Sequence, residues 1–570
     1  MTARILDIRF EDFQSWGWDR IQPFFESLEA APLTAETAVD WLTAWERLNK
    51  LLGESYQRLY VGTTVNTADK DTEERFFAFL DTISEPASVA NQRLKQRLLD
   101  SGIEPKGYAV ILRGIRSEAD LFREANVPLL TEEEKLTNEY DKIIGAQEVM
   151  WEGEARTIPQ MNPLLMETDR ARRERAWTLR AERQLADRAA LNDLWTRMLS
   201  LRRQIAANAG EPDFRAYTWK RSKRFDYTPE DCLRFHEAIE SVVVPAAQAL
   251  YEKRRHSLGI DRLRPWDLDV DPLNRQPLKP FTAAESLVAG AETIFRQVDP
   301  ALGAHFADMR ANGLLDLDSR KNKAPGGYCT EYPIAQKPFI FMNAVGVHDD
   351  VQTLLHEGGH AFHVYEANSL QEYRRTEPPL EFCEVASMSM ELLAAPYLAA
   401  SQGGYYSESA AARARIEHLE GALLFWPYMA VVDAFQHWVY THADAAMDPA
   451  NCDAEWGRQW DRFMKGIDFD GLDEVRVTGW HRKLHIFQIP FYYVEYGIAQ
   501  IGAVQVWLNS LQDLAKATAD YRRALALGGT EPLPALFAAA GARFAMDRSL
   551  LQTEIDAMMR TIEALESASG

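Results

Sequence analysis

Through roughly the first two hundred residues, apolar side chains recur at helical spacing, as in Val39-Asp-Trp-Leu-Thr-Ala-Trp-Glu-Arg-Leu48, with few runs of β-branched residues. That pattern predicts helices almost throughout. The stretch from Asp169 to Arg203 mixes charges of both signs at the same spacing, the mark of solvated helical faces braced by pairs one turn apart. Strand patterning is confined to Gly327-Tyr-Cys-Thr-Glu-Tyr-Pro-Ile334 and Pro338-Phe-Ile-Phe-Met342, and the short polar link Ala335-Gln-Lys337 predicts a hairpin. The strongest apolar run, Gly421 to Val432, contains Pro427 and is flanked by Glu420 and Asp433. It falls short of the roughly 20 residues needed to cross a bilayer and predicts a buried helix. Two punctuated segments, Asn208-Ala-Gly-Glu-Pro-Asp213 and the proline-rich stretch from Pro265 to Pro280, predict loops or hinges. The first suggests a helical lobe over 1–205 and a second lobe over 206–570 that carries the chemistry. No repeat period or low-complexity tract is present.

Composition narrows the class. The chain has 570 residues, 46% hydrophobic and 26% charged, which excludes a disordered, collagenous or disulfide-stapled protein and permits an enclosed site. Lys and Arg number 63 against 85 Asp and Glu, a formal charge of −22, so the averaged field repels nucleic acid and anionic lipid. The opening residues lack a signal-peptide core, and the expectation is a cytoplasmic protein. Cys232, Cys329, Cys383 and Cys452 are widely spaced with no C-x-x-C pair, which predicts reduced thiols and neither a disulfide framework nor a thiolate zinc site.

Directly after the hairpin comes His356-Glu357-Gly358-Gly359-His360, an H-E-x-x-H sequence. On a helix, positions four apart differ by about 40° and about 6 Å, so the two imidazoles converge on one cation with Glu357 beside it. That arrangement suits Zn²⁺ and metal-assisted amide hydrolysis, with Glu357 taking a proton from water and passing it to the leaving amine. Each glycine costs a helix interior about 1 kcal/mol against alanine, so the pair Gly358-Gly359 implies close packing against another backbone. A metzincin would need Gly at 363 and His at 366, where this chain has His363 and Glu366. The ligand of a thermolysin-like enzyme would fall at position 379, which is Pro. An apolar helix after Pro378-Pro379 carries Glu381, Glu384 and Glu391, and carboxylates in such company need partners. Glu384 and Glu391 share one face, so one can bind the metal while the other steadies the site. His363 lies too far along the helix from His356 to share its ion, and either faces substrate, steadies the site or is an ordinary buried histidine. Asp349 and Asp350 either cap the helix or orient ligands, capping being the cheaper explanation. An edge strand starting at Gly326-Gly327-Tyr328 either holds an extended peptide by main-chain hydrogen bonds or simply packs on the metal helix.

The chain resembles the thimet oligopeptidase and oligoendopeptidase F family of zinc metallopeptidases. The matching blocks are His356-Glu-Gly-Gly-His-Ala-Phe-His363, Phe382-Cys-Glu384 with Ser387 and Met390-Glu391, and His485-Ile-Phe-Gln-Ile-Pro-Phe-Tyr-Tyr-Val-Glu-Tyr496, in the family's order. The segments Gly153-Glu-Ala-Arg156 to Trp177 and Pro265-Trp-Asp-Leu-Asp-Val-Asp271 extend the likeness over most of the chain beyond about residue 130. The resemblance implies His356, His360 and Glu384 as ligands of one Zn²⁺ per chain and Glu357 as catalytic base and acid. It further implies that His485, with Tyr496 and Tyr493, stabilises the oxyanion. The implied fold is mainly α, a two-lobed helical clamshell around a deep channel, with a small β-hairpin or sheet next to the zinc-binding helix. Such a channel implies internal cleavage of short unstructured peptides, with neither nucleic acid nor membrane as partner and with monomer and homo-oligomer both open. The chain departs from the family pattern at the ligand, where Glu381 precedes and Glu384-Val-Ala-Ser387 follows. The competing readings are a metallocarboxypeptidase or dipeptidase of related architecture and a non-catalytic peptide-binding protein.

Overall fold

Polar caps set the helix boundaries. The Asp169 carboxylate accepts the N–H groups of Ala171 and Arg172, Asp213 accepts that of Ala216, and Thr228 forms a reciprocal capping box with Asp231. In the computed structural model, residues 5–66, 68–320, 323–324, 326–374 and 377–569 are described, and they are mainly α-helical. The elements that frame the chemistry are α1 (Ala38–Val65), the short strands β1 (Glu148–Trp151) and β2 (Glu154–Thr157), α2 (Pro229–Ser257), α3 (Ala284–Val298), β3 (Leu315–Asp318), β4 (Tyr328–Tyr332), β5 (Lys337–Ala344), α4 (His348–Ala367), α5 (Leu380–Ala394), α6 (Glu408–Thr441) and α7 (Tyr493–Ser510).

The chain forms two compact units, each assembled from three segments: residues 1–120, 279–411 and 502–544 in one, and 121–278, 412–501 and 545–570 in the other. Neither is a continuous stretch such as 1–205. The loop at 208–213 is a turn within the second unit, where Gly210 ends one helix at φ 83° and Asp213 caps the next. Glycine pays no Cβ penalty in that left-handed conformation, so the G-x-P-D signal marks a sharp turn between neighbouring helices.

In the first unit the hairpin forms as the strand patterning and the short polar link predict. β4 runs antiparallel to β5, with Tyr332 opposite Lys337 and Tyr328 opposite Phe341, across a turn in which Gln336 takes φ 53°. A third strand, β3, pairs parallel to β5 on its other side, giving the order β3-β5-β4 with β4 at the edge. Phe339 and Phe341 of β5 bury one face against Val61 of α1, and α4 packs on the sheet's other face. A strand covered on both faces reads as a continuous apolar run, as Pro338–Met342 does. α1 is also tied to the hairpin through Glu54, which is 1% exposed and accepts the N–H groups of Ile334 (2.9 Å) and Ala335 (3.4 Å). α5 lies along α4 and is buried over most of its length.

The second unit is built around fully buried tryptophans, Trp195, Trp426, Trp456 and Trp480 among them. The apolar run beginning at Gly421 is part of α6, and Leu423, Trp426, Met429 and Val432 are buried, as predicted. No described helix is long and apolar enough to cross a membrane.

Candidate metal centre

The connection from β5 into α4 is fixed by Asp350. One carboxylate oxygen of this buried residue accepts the backbone N–H groups of Val345 (2.9 Å), Gly346 (2.8 Å) and Val347 (2.9 Å). A carboxylate at a helix start satisfies orphan donors and complements the dipole, so Asp350 sets where α4 begins on the sheet.

Two turns on, α4 presents His356 and His360 toward Glu384 of α5. Their Nε2 atoms lie 3.3 Å and 3.7 Å from Glu384 Oε2, and one ligand atom from each of the three residues falls within 4.8 Å of the others. Two imidazoles and a carboxylate form a donor set that zinc takes at catalytic sites, so these residues fit the ion chemically and in spacing. Two of the three carboxylates of α5, Glu384 and Glu391, have assigned geometry. The Ser387 hydroxyl donates to Glu384 Oε2 at 3.0 Å, and His356 Nδ1 donates to Glu391 Oε1 at 2.6 Å. The second contact holds a ring hydrogen on Nδ1, so a metal at Nε2 would displace only the other ring proton, the usual device for orienting a metal-binding histidine.

The electrostatics agree with a cation between these groups. Burial disfavours a charged His356, yet Glu384 and Glu391 outweigh it and hold the ring well above its ordinary pKa. Burial lowers His360 to about 4. Glu357 is 7% exposed; burial, reinforced by Glu384 and Glu391 and opposed by His356, raises its carboxyl to about 7. The Cys329 backbone N–H of β4 also reaches Glu357, which sets this carboxylate between the metal helix and the sheet edge. The two glycines are explained by contact. A Cβ on Gly359 would lie 2.5 Å from Ala386 O and Ser387 Cα of α5, and one on Gly358 would lie 2.5 Å from the Phe295 ring of α3.

The remaining residues singled out from the sequence fall into four places. His363 is buried against Phe382, its pKa lowered by burial to about 3, and is not one of the three grouped ligand atoms. Gly326 takes φ 94°, Gly327 lies against Phe341 O of β5 and Thr353 of α4, and the Tyr328 hydroxyl shares a 2.6 Å hydrogen bond with Thr64. Asp349 lies in the field of Asp350 and Glu391, and burial together with those charges raises its pKa.

His485, Tyr493 and Tyr496 gather within the second unit. The His485 ring centroid is 5.0 Å from Tyr493 and 6.1 Å from Tyr496, and Lys483 Nζ donates to the Tyr493 hydroxyl at 3.0 Å. Sequence reasoning missed what holds this cluster. Arg202, fully buried, donates to the carbonyls of Ile486 and Phe487. Arg224 pairs with Glu495 at 2.5 Å and donates to Phe491 O, both charges being 1% exposed. Phe491 itself adopts φ 65°, an outlier for a bulky residue, which persists because Gln436 Oε1 accepts its N–H and Arg224 binds its carbonyl. The arginines gave no signal, because each sits among other basic residues, Arg203 beside Arg202 and Lys220, Arg221 and Lys223 before Arg224, far along the chain from the segment it clamps.

The chain is similar to known peptidases. The family model "Peptidase family M3" matches residues 164–554. An oligoendopeptidase F homologue of Mycoplasma pneumoniae is 26% identical over 144 residues, 24% of this chain; the match spans 22% of that relative's length. A PZ peptidase A solved with an inhibitor superposes with a TM-score of 0.88 at 28% identity, covering 98% of this chain and 99% of that one. A provisionally assigned oligoendopeptidase F superposes with a TM-score of 0.88 at 27% identity, covering 98% and 97%.

Proposed function

The chain belongs to peptidase family M3, and from that membership we propose that it is a zinc-dependent endopeptidase cutting internal bonds of short, unstructured peptides. The observation that carries this reading is the grouping of His356, His360 and Glu384 within 4.8 Å beside the buried Glu357. When bound there, zinc supplies a Lewis acid that polarises the scissile carbonyl and lowers the pKa of water to about 7. His356 and His360 contribute Nε2 and Glu384 a carboxylate oxygen. Glu391 fixes the tautomer of His356, and Ser387 fixes the rotamer of Glu384.

Glu357 takes the proton of the attacking water and returns it to the leaving amine, a shuttle suited to a carboxylate with a pKa near the working pH. The edge of β4 receives the peptide backbone as an added strand, which selects extended, unfolded substrates. His485 and Tyr496, with Tyr493, donate to the oxyanion, each well-placed donor contributing about 3 to 4 kcal/mol. Short peptides in the cytoplasm are the expected clients. A net charge of −22 argues against a nucleic-acid partner.

The test is mass spectrometry of a peptide library of graded length, incubated with the wild type and with Glu357→Gln. Internal cuts by the wild type alone, fading above some length, are expected. Release of terminal residues only would favour a carboxypeptidase or dipeptidase, and identical spectra from the two proteins would leave a peptide-binding protein.

A further inference from the structure

A second group of metal-binding side chains lies in the unit formed by residues 121–278, 412–501 and 545–570. Cys232 and His236 stand four apart on α2, and Asp433 and His437 stand four apart on α6. Residues at that spacing share a helix face, so two facing helices bring four ligand-type side chains to one point, as in metal sites of helix bundles. One ligand atom from each of Cys232, Asp433 and His437 lies within 4.8 Å of the others. The four residues are 0%, 0%, 0% and 3% exposed in sequence order.

We propose that Cys232, Asp433 and His437 form a structural binding site for a second zinc ion, with His236 orienting the carboxylate. This inference is independent of the peptidase reading. His236 Nε2 donates to Asp433 Oδ2 at 2.8 Å. The other carboxylate oxygen, Oδ1, is buried without a hydrogen-bond partner. His437 Nε2 lies 3.3 Å from Asp433 Oδ2 yet makes no hydrogen bond. Buried polar atoms seldom go unpaired, and two such atoms beside a thiol are what a bound cation would satisfy.

The charge count closes. A thiolate and a carboxylate carry two negative charges, which a dication neutralises, so the loaded site is uncharged in its surroundings. Those surroundings are apolar and aromatic: Phe463 beside His236, and Trp219 and Phe491 beside His437. Arg215 Nη1 donates to His437 Nδ1 at 3.4 Å. Coordination through Nε2 would move the ring hydrogen to Nδ1 and would require that hydrogen bond to give way. The ion would pin α2 to α6, and so brace the wall that carries His485 and the tyrosines.

The thiolate makes the site spectroscopically distinct from the His356–His360–Glu384 centre. The full-length protein is expressed with cobalt in place of zinc, because so closed a site must load during folding. The wild type should bind two equivalents and show a thiolate-to-cobalt charge-transfer band in the near ultraviolet. Glu384→Ala should lose one equivalent and keep the band, as should Cys329→Ser. Cys232→Ser should lose the band and one equivalent while retaining the other. A native-state chelator should strip one equivalent quickly and the second only on unfolding. Should Cys232→Ser fail to fold, the band in Glu384→Ala still decides. A wild type with one equivalent and no band overturns the proposal and leaves a metal-free His236–Asp433–His437 network, and so does a band that disappears in Cys329→Ser.

Discussion

Gly359→Ala tests whether the contact between α4 and α5 sets the spacing of the metal ligands. The added Cβ would lie 2.5 Å from both Ala386 O and Ser387 Cα and 2.9 Å from Ala386 C. Carbon contacts relax near 3.5 Å, so the helices must part by about 1 Å. The carbonyl cannot simply tilt away, because the buried Tyr521 hydroxyl donates to it at 2.8 Å. Ser387 also positions Glu384, so the displaced backbone is the one that carries the ligand and its orienting hydroxyl. Overpacking of this kind costs about 1 to 3 kcal/mol, offset by the roughly 1 kcal/mol that alanine gains over glycine in a helix. Metal sites tolerate distance errors of about 0.2 Å, so affinity should suffer more than stability.

The assay is competition for zinc against a chromophoric chelator, with thermal unfolding of the metal-free protein measured alongside. At least a ten-fold loss of zinc affinity is expected, the lower end of what disturbed supporting contacts cost. Two controls separate the contact from the substitution. Gly358→Ala meets the Phe295 ring rather than α5, so it should lower stability with a smaller effect on zinc. Gly421→Ala, on α6 with nothing within 4 Å of the new Cβ, should be neutral or stabilising. Wild-type zinc affinity in Gly359→Ala would refute the reasoning, because Glu384 would then hold its place independently of the α4–α5 spacing.

Glu391→Ala, which frees His356 Nδ1, should weaken zinc binding about 10- to 100-fold while leaving helix content intact; unchanged affinity would remove Glu391 from the site. Tyr496→Phe should lower kcat by about 10² to 10³ with little change in KM, as for a donor engaged in the transition state, and an unaltered kcat would shift the role to Tyr493. His481 is 3% exposed, contacts Asn192 through Nε2, and is lowered to about 3 by burial, with Arg482 and Arg188 adding to the effect. Below about pH 6.5 the unfolded chain binds a proton there that the folded chain does not, so stability should fall by about 2 kcal/mol between pH 7 and pH 5. His481→Gln should flatten that slope in denaturant titrations, and an identical slope would place the acid sensitivity elsewhere.

What the sequence made legible was local. The i,i+4 histidines, the strand patterning of the hairpin and the Gly358-Gly359 pair each carry their physics within a few residues, and the backbone that the glycine pair implied is met at Gly359, while Gly358 meets the Phe295 ring. The strand β3 escaped notice because four residues, Leu-Asp-Leu-Asp, are too short a period, and its parallel pairing with β5 spans an intervening loop and β4. The division into units escaped for the same reason at larger scale: each is stitched from three segments, and a turn rich in Gly and Pro looks the same within a unit as between two. Glu384 and Glu391 show where the limit falls. Helical period puts both on one face of α5, and nothing local assigns their roles. The assignment comes from α4, where His356 reaches toward both, Nε2 to one and Nδ1 to the other. The Cys232–Asp433–His437 group lies past that limit altogether. Each helix contributes an unremarkable i,i+4 pair, and a C-x-x-C search passes over both. The two pairs acquire chemistry only because folding sets α2 against α6 across nearly two hundred residues of chain and closes water out, after which a carboxylate oxygen and an imidazole nitrogen without hydrogen bonds require an explanation.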